Sequence, residues 1–181
     1  MNRPSSTFLA PLLVLCAAAS AAEPTSGPAA GAAIPALKVF DATGPHSGKD
    51  VDYPAERKAK PTVYVFIKDW NRPAARFLRS VDGGVADDAE GAMVVAVWLS
   101  AKTDDTKEYL PKAQMSLKLE NTAMTVIAED AVPAGWELDT DAAVTVVVAS
   151  GGKAVKSFRY VSVNETVADE VRKTLKTAAS K

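Results

Sequence analysis

Cysteine is almost absent: Cys16 is the only one in 181 residues, and His46 is the only histidine. One thiol cannot make an intrachain disulfide framework or a cysteine-rich zinc site. An excess of charge of either sign is missing too. Lys plus Arg number 21 and Asp plus Glu 22, a net charge of −1, which excludes a strongly basic nucleic-acid binder or a polyanionic tail. No internal repeat is present, and past the first 22 residues no charge-free apolar run approaches membrane-spanning length. What remains is an ordinary globular composition, 48% hydrophobic and 24% charged, over a length that suits one domain with its own core.

Residues 1–22 read as a secretory signal peptide. Arg3 supplies the cationic start, Phe8 to Ala18 the apolar centre, and Ala19-Ser20-Ala21 or Ser20-Ala21-Ala22 the small-residue cleavage pattern. Leu15 stands where a lipoprotein signal would need a small residue before its cysteine, so Cys16 reads as part of the discarded apolar centre. Cleavage removes Arg3, one of the 21 basic residues, leaving 20 against 22 acidic ones, a net charge of −2 and no thiol. Residues 23–36 have the Pro/Gly/Ala-rich composition of a mobile tether. The folded domain is expected over 37–181, in a periplasmic or secreted protein with no stable membrane insertion after cleavage.

Along that domain, Val39–Gly44 and Gly48–Tyr53 predict a short hairpin around the turn Gly44-Pro45-His46-Ser47-Gly48. Pro61–Ile67 predicts a central strand, with Val63, Val65 and Ile67 on one apolar face and Tyr64 and Phe66 on the other, covered by helices on both sides. Ala74, Phe77, Leu78 and Val81 then recur at helical spacing after Pro73, until Gly83-Gly84 is expected to end the helix. A second strand spans Ala92–Leu99, in which Trp98 reads as core. Asp105 and Glu108 form a capping-box pattern for a helix reaching about Leu119, with Pro111 predicting a kink or a late start. A third strand covers Ala123–Ala128, followed by a loop whose packing is expected to use Trp136. Val144–Ala149, the turn Ser150-Gly151-Gly152-Lys153 and Ala154–Tyr160 predict an antiparallel hairpin. Ser162 and Glu165 suggest a second capping box, and Val167, Val171 and Leu175 line a closing helix. The order is that of an α/β sandwich with a mixed central sheet flanked by helices and an N-terminal β-hairpin extension.

With its closing hairpin and helix, this order resembles the thioredoxin-like superfamily, in its secreted thioredoxin and thiol-disulfide oxidoreductase type. That family carries Trp-Cys-Gly-Pro-Cys where the central strand meets its helix, and Trp70-Asn71-Arg72-Pro73-Ala74 stands there in this chain. Trp70 and Pro73 match; Asn71 and Ala74 replace the attacking and resolving cysteines. Val144 occupies the place of the family's cis-proline. The resemblance implies a groove built from Trp70, Asn71, Arg72, Pro73, Ala74, Ala143 and Val144, where extended substrates are held. It also implies that the family's usual chemistry is lost. Disulfide exchange needs one thiolate to attack sulfur and a second thiol to resolve the mixed disulfide, and peroxide reduction needs a cysteine that becomes a sulfenic acid. Only retention of Cys16 would return a thiol, in the wrong part of the chain.

Other chemistry is weaker. Gly44–Asp50 resembles a phosphate loop, but it has three residues between its glycines, no Ser or Thr after Lys49, and leads into a strand. His46 with Asp41, Asp50 or Asp52 is the one seed for a hydrolytic or metal-assisted enzyme, although no spacing demands a metal. Asp87-Asp88-Glu90, Asp104-Asp105 and Asp139-Asp141 suit solvated loops and helix starts. Asn164-Glu165-Thr166 is a glycosylation sequon that coincides with a helix cap. Lys68, Arg72, Arg76 and Arg79 place positive charge around the Trp70 corner. Trp70 itself reads first as packing on the sheet edge for stability and second as a flank of the groove. The expectation is a redox-inactive, exported binding or scaffolding protein with a protein or peptide partner in the cell envelope and no cofactor, metal or nucleic acid. The alternatives are the His46 enzyme and an inactive partner of an exported oxidoreductase.

Overall fold

A computed structural model describes residues 25–180. The expected signal segment, with Arg3 and Cys16, lies outside them. A seven-stranded sheet runs in the order β2-β1-β5-β4-β3-β6-β7, comprising β1 (Lys38–Asp41), β2 (Lys49–Asp52), β3 (Thr62–Ile67), β4 (Met93–Leu99), β5 (Thr122–Ile127), β6 (Val144–Ser150) and β7 (Lys153–Tyr160). Four helices accompany it: α1 (Tyr53–Arg57), α2 (Arg72–Asp88), α3 (Thr103–Leu117) and α4 (Ala168–Ala179). β3 is parallel to β4 and antiparallel to β6, and β4 is parallel to β5. The sheet is therefore mixed.

Every residue of β3 is buried, and the two faces separate as the alternation predicts. Val63, Val65 and Ile67 pack with Phe77, Leu78 and Val81 of α2 and with Val171 and Leu175 of α4. Leu110 of α3 joins the same cluster. Two right-handed crossovers that step the same way, β3 to β4 to β5, must leave both connecting helices on one side. The opposite face, with Tyr64 and Phe66, is covered differently from expectation. Instead of a second layer of long helices it receives Leu37, Tyr53 at the start of α1, and Trp136 from a 3-10 turn at Ala134–Trp136. Trp136 is fully buried, meets Tyr64 and Phe66 at 5.2 and 4.8 Å between ring centres, and donates from Nε1 to Ala36 O at 3.2 Å.

Three local expectations are corrected. Helix α2 passes through Gly83-Gly84 and ends at Asp88. Gly84 is there for contact: a Cβ on it would collide with the Arg172 guanidinium, which crosses α2 so that Nε donates to Asp88 Oδ2 at 2.7 Å. Gly83 is exposed, with open space where its Cβ would be. Gly83→Ala is therefore expected to raise stability by about 0.8 kcal/mol, the helix-interior difference between the two residues, measured by urea unfolding; an unchanged or lower midpoint contradicts it. Helix α3 starts at Thr103, ahead of the Asp105–Glu108 pattern, has no side-chain cap, and continues through Pro111 to Leu117. Ser100 organises that start, its Oγ accepting from Lys102 N–H at 3.0 Å and sharing a 2.8 Å bond with Thr106 Oγ1. Asn164, not Ser162, caps the last helical segment, accepting from Thr166 N–H at 3.0 Å before a 3-10 turn leads into α4.

The expected tether is also revised where it is described. Ser26, Gly27 and Pro28 are buried, and Ser26 Oγ shares a 2.5 Å bond with Thr145 Oγ1. Gly31 N–H donates to Ala154 O at 2.7 Å, and Ala154 N–H to Ala32 O at 2.8 Å. This segment lies along β7, which ends the sheet, and closes part of an edge that would otherwise offer unpaired backbone groups. At Gly27 only the absence of a side chain allows the approach: a Cβ there would sit 2.8 Å from Ser157 Oγ.

Candidate functional site

The Trp70 corner forms where β3 ends. Asn71 is the N-cap of α2, its backbone extended and its Oδ1 accepting from Ala74 N–H at 3.0 Å. Pro73 follows in the first turn, where a missing N–H costs nothing. Across from them β6 starts at Val144, paired with Ile67, and Lys68 N–H donates to Ala143 O at 3.0 Å. Every described peptide bond is trans, so the chain enters β6 straight and that carbonyl is used within the sheet.

Between the two walls lies a cavity of about 130 Å³ bounded by Asn71, Pro73, Ala74, Ala143 and Val144, with Val161 on its rim. Five of the seven residues expected at the groove thus come together. Trp70 and Arg72 do not bound it. Trp70 turns away to stack on Trp98, 5.2 Å between ring centres and 20° between planes, and its Nε1 donates to Tyr109 OH at 3.3 Å. Arg72 points into solvent. Trp98, expected in the core, is half-buried for the same reason: it is the shelf on which Trp70 rests.

Charge around the corner is partly compensated. Lys68 Nζ donates to Thr140 O at 2.8 Å and lies 3.4 Å from Glu129, while Arg76 is 4.0 Å from Glu165. Arg159 pairs with Asp139, tying the loop before β6 to β7. The Asp141 N–H, and then Arg159, hold the Asp139 carboxyl below the usual carboxylate range.

The His46 constellation assembles otherwise than expected. Asp41 is fully buried and accepts from the backbone N–H of Thr43, Gly44 and His46 at 3.1, 2.6 and 2.9 Å and from Tyr53 OH at 2.8 Å. Burial and that bond to Asp41 push the Tyr53 hydroxyl well above its ordinary pKa. Asp52 is occupied as the cap of α1 and as acceptor for Leu37 N–H at 3.1 Å. His46 Nε2 instead lies 3.7 Å from Glu56. Gly44–Gly48 is the turn between β1 and β2, as its departures from a phosphate loop require. Among the described residues no three His, Cys, Asp or Glu side chains are placed to hold a metal ion.

No family model matches the chain, and no curated protein matches it in sequence. Its architecture is nevertheless shared with solved structures. A DsbF homologue from Corynebacterium diphtheriae superposes with a TM-score of 0.60 at 14% identity, over 81% of this chain and 87% of its own. A secreted thiol-disulfide isomerase from Corynebacterium glutamicum gives 0.58 at 11%, over 80% and 85%. A thiol peroxidase from Chromobacterium violaceum gives 0.59 at 14%, over 87% and 92%. The fold is thioredoxin-like. Within a thioredoxin-like frame the chain lacks a dithiol pair, since Cys16 is its only cysteine. Asn71 caps the helix by accepting from the first-turn backbone, but as a neutral amide it brings no ionisable nucleophile. No helix among the described residues is long and apolar enough to cross a membrane.

Two features escaped sequence reading. One is the Trp98–Tyr109 contact, 5.9 Å and nearly perpendicular, whose only sequence signal was Tyr109 lying one turn from the buried face of α3. The other is Asp82, 3% exposed, which accepts from Asn121 N–H at 2.8 Å, Thr122 Oγ1 at 2.6 Å and Glu120 N–H at 3.1 Å.

Proposed function

We propose that this protein is an exported, redox-inactive binding module of the cell envelope that holds an extended segment of a protein partner in the groove between Asn71–Ala74 and Ala143–Val144. The observation that carries the reading is the Asn71 cap. Its Oδ1 fills the position over the first turn of α2 where disulfide chemistry would need a thiolate, while the groove beside it is kept open. A shaped cleft that has lost its nucleophile retains recognition alone. Fold by itself does not specify function; export is supported by the segment 1–22 and by the secreted character of the Corynebacterium glutamicum isomerase.

The test is affinity capture from the envelope fraction of the source organism with residues 23–181 as bait, in parallel with a Val161→Arg bait. Val161 is 59% exposed at the groove rim, so the longer charged side chain obstructs the groove without entering the core. A partner retained by the first bait and lost from the second is expected. Identical recoveries from both baits defeat the reading.

A further inference from the structure

A second cleft, of about 510 Å³, opens between the end of β4 and the first turns of α3, and shares no residue with the groove beside Asn71. Trp98 and Tyr109 wall it, their rings 5.9 Å apart and 81° to one another. Trp70, stacked behind Trp98, fixes the orientation of that wall. Tyr109 remains 44% exposed. The polar groups within reach sort themselves by role. Ser100 and Thr106 hydroxyls are bonded to each other, and Ser100 Oγ also takes the Lys102 N–H. Tyr109 OH accepts from Trp70 Nε1, which leaves its own proton to be donated outward. The exposed Lys102 ammonium is a further donor at the mouth. The result is an open depression with two aromatic walls at right angles, donors at Tyr109 and Lys102, and one carboxylate, Asp105, on its border.

A polyproline II segment is the complement of such a depression. Its proline rings are compact and rigid, its carbonyls have no internal partners, and proline brings no N–H that needs an acceptor. The charge pattern adds a residue to the motif. Asp105 and Glu108 are exposed one turn apart on α3, while Lys107 is engaged with Asp104 at 2.9 Å. We propose that the Trp98–Tyr109 cleft docks an extended proline-rich segment carrying a lysine or arginine opposite Asp105. This reading is independent of the Asn71 groove.

The test is a fluorescence titration of residues 23–181 with a synthetic peptide containing a Pro-x-x-Pro core and one lysine. Trp136 is fully buried, so Trp70 and Trp98 report the cleft. A saturable change is expected, weakened about tenfold or more by Tyr109→Ala. Tyr109→Phe keeps the ring and guards against misfolding; removal of the hydroxyl, with its outward proton and its bond from Trp70 Nε1, is expected to weaken binding about threefold. Asp105→Asn is expected to weaken the lysine peptide and leave a lysine-free counterpart unchanged. The proposal is overturned by no saturable change, by an equal response to a peptide with alanine for proline, or by a response to chitotriose in place of the peptide. It is equally overturned if Val161→Arg abolishes peptide binding while Tyr109→Ala leaves it intact, since the peptide then sits in the other groove.

Discussion

Replacing Asp41 with alanine is expected to lower stability by about 3–5 kcal/mol, in the range set by leaving several buried donors unpaired at about 1–3 kcal/mol each with partial recovery by water. The carboxylate is fully buried and gathers three backbone N–H groups of the β1–β2 turn together with Tyr53 OH. Nothing nearby can take over. A Cβ on Gly44 would meet Tyr53 OH, Ala123 and the carboxylate itself, so the turn is wound tightly around this one group. Tyr53→Phe removes a single bond and is expected to cost about 1 kcal/mol, which separates the turn's contribution from that of the phenol. Urea unfolding of residues 23–181 gives both values. An Asp41→Ala loss below 1 kcal/mol would mean that the turn holds without its anchor. The effect extends past the hairpin, because Phe40 and Asp41 are the residues through which β1 pairs with β5.

Asp41 and Asp82 also show where a sequence stops being legible. The strands announced themselves because burial on both faces leaves little room for anything but apolar side chains: Thr62–Ile67 and Val144–Ser150 lie where their composition places them. The meeting of residues 71, 73 and 74 with 143 and 144 at one small cavity is tied to one local pattern, Trp70 to Ala74, which fixes its position along the chain. Buried acids are different. Asp82 falls on the apolar stripe of α2, four residues after Leu78 and three before Val85, and that misfit was a sign of a buried partner. Its partners, though, are the backbone N–H groups of Glu120 and Asn121 and the Thr122 hydroxyl, supplied through tertiary packing across 38 or more residues. Gly83-Gly84 misled for a related reason. Read locally, two glycines end a helix; in the fold, Gly84 is the gap that Arg172 crosses to reach Asp88. Residues 25–36 have a tether's composition, yet the close approach to the strand edge demands a small residue at Gly27, while at Gly31 the space is open. Trp70 packs, in keeping with the first of its two readings, but its partners Trp98 and Tyr109 lie far from it in sequence, so no local pattern names them.

Restoring the two missing thiols is expected to turn chemistry on. The unaltered protein should give no catalytic turnover in insulin reduction with dithiothreitol, because residues 23–181 contain no sulfur other than methionine. The double variant Asn71→Cys, Ala74→Cys should behave otherwise. Asn71 Oδ1 already lies 3.0 Å from Ala74 N, so the side chain at 71 folds over the first turn and a thiol there faces the residue that would resolve it. A thiolate in that place receives the helix N-terminus and has Arg72 next to it, both of which lower its pKa from about 8.5 and raise the reactive fraction at neutral pH. Two such thiols are expected to react with glutathione disulfide to give one intramolecular disulfide and two molecules of glutathione, counted by loss of thiol on the protein after glutathione is removed. Turnover on insulin should follow but remain slow. Ala143 O is held by Lys68 N–H and Val144 enters its strand through a trans peptide, so the opposite wall offers an extended substrate fewer free backbone groups. The single variant Asn71→Cys should form a mixed disulfide with glutathione and stop there, since no second thiol is present to resolve it. If the double variant keeps two titratable thiols after exposure to glutathione disulfide, the corner does not have the redox geometry inferred for it. If the unaltered protein turns over insulin, a thiol survives in the natural protein and the loss of function argued from Asn71 and Ala74 is wrong.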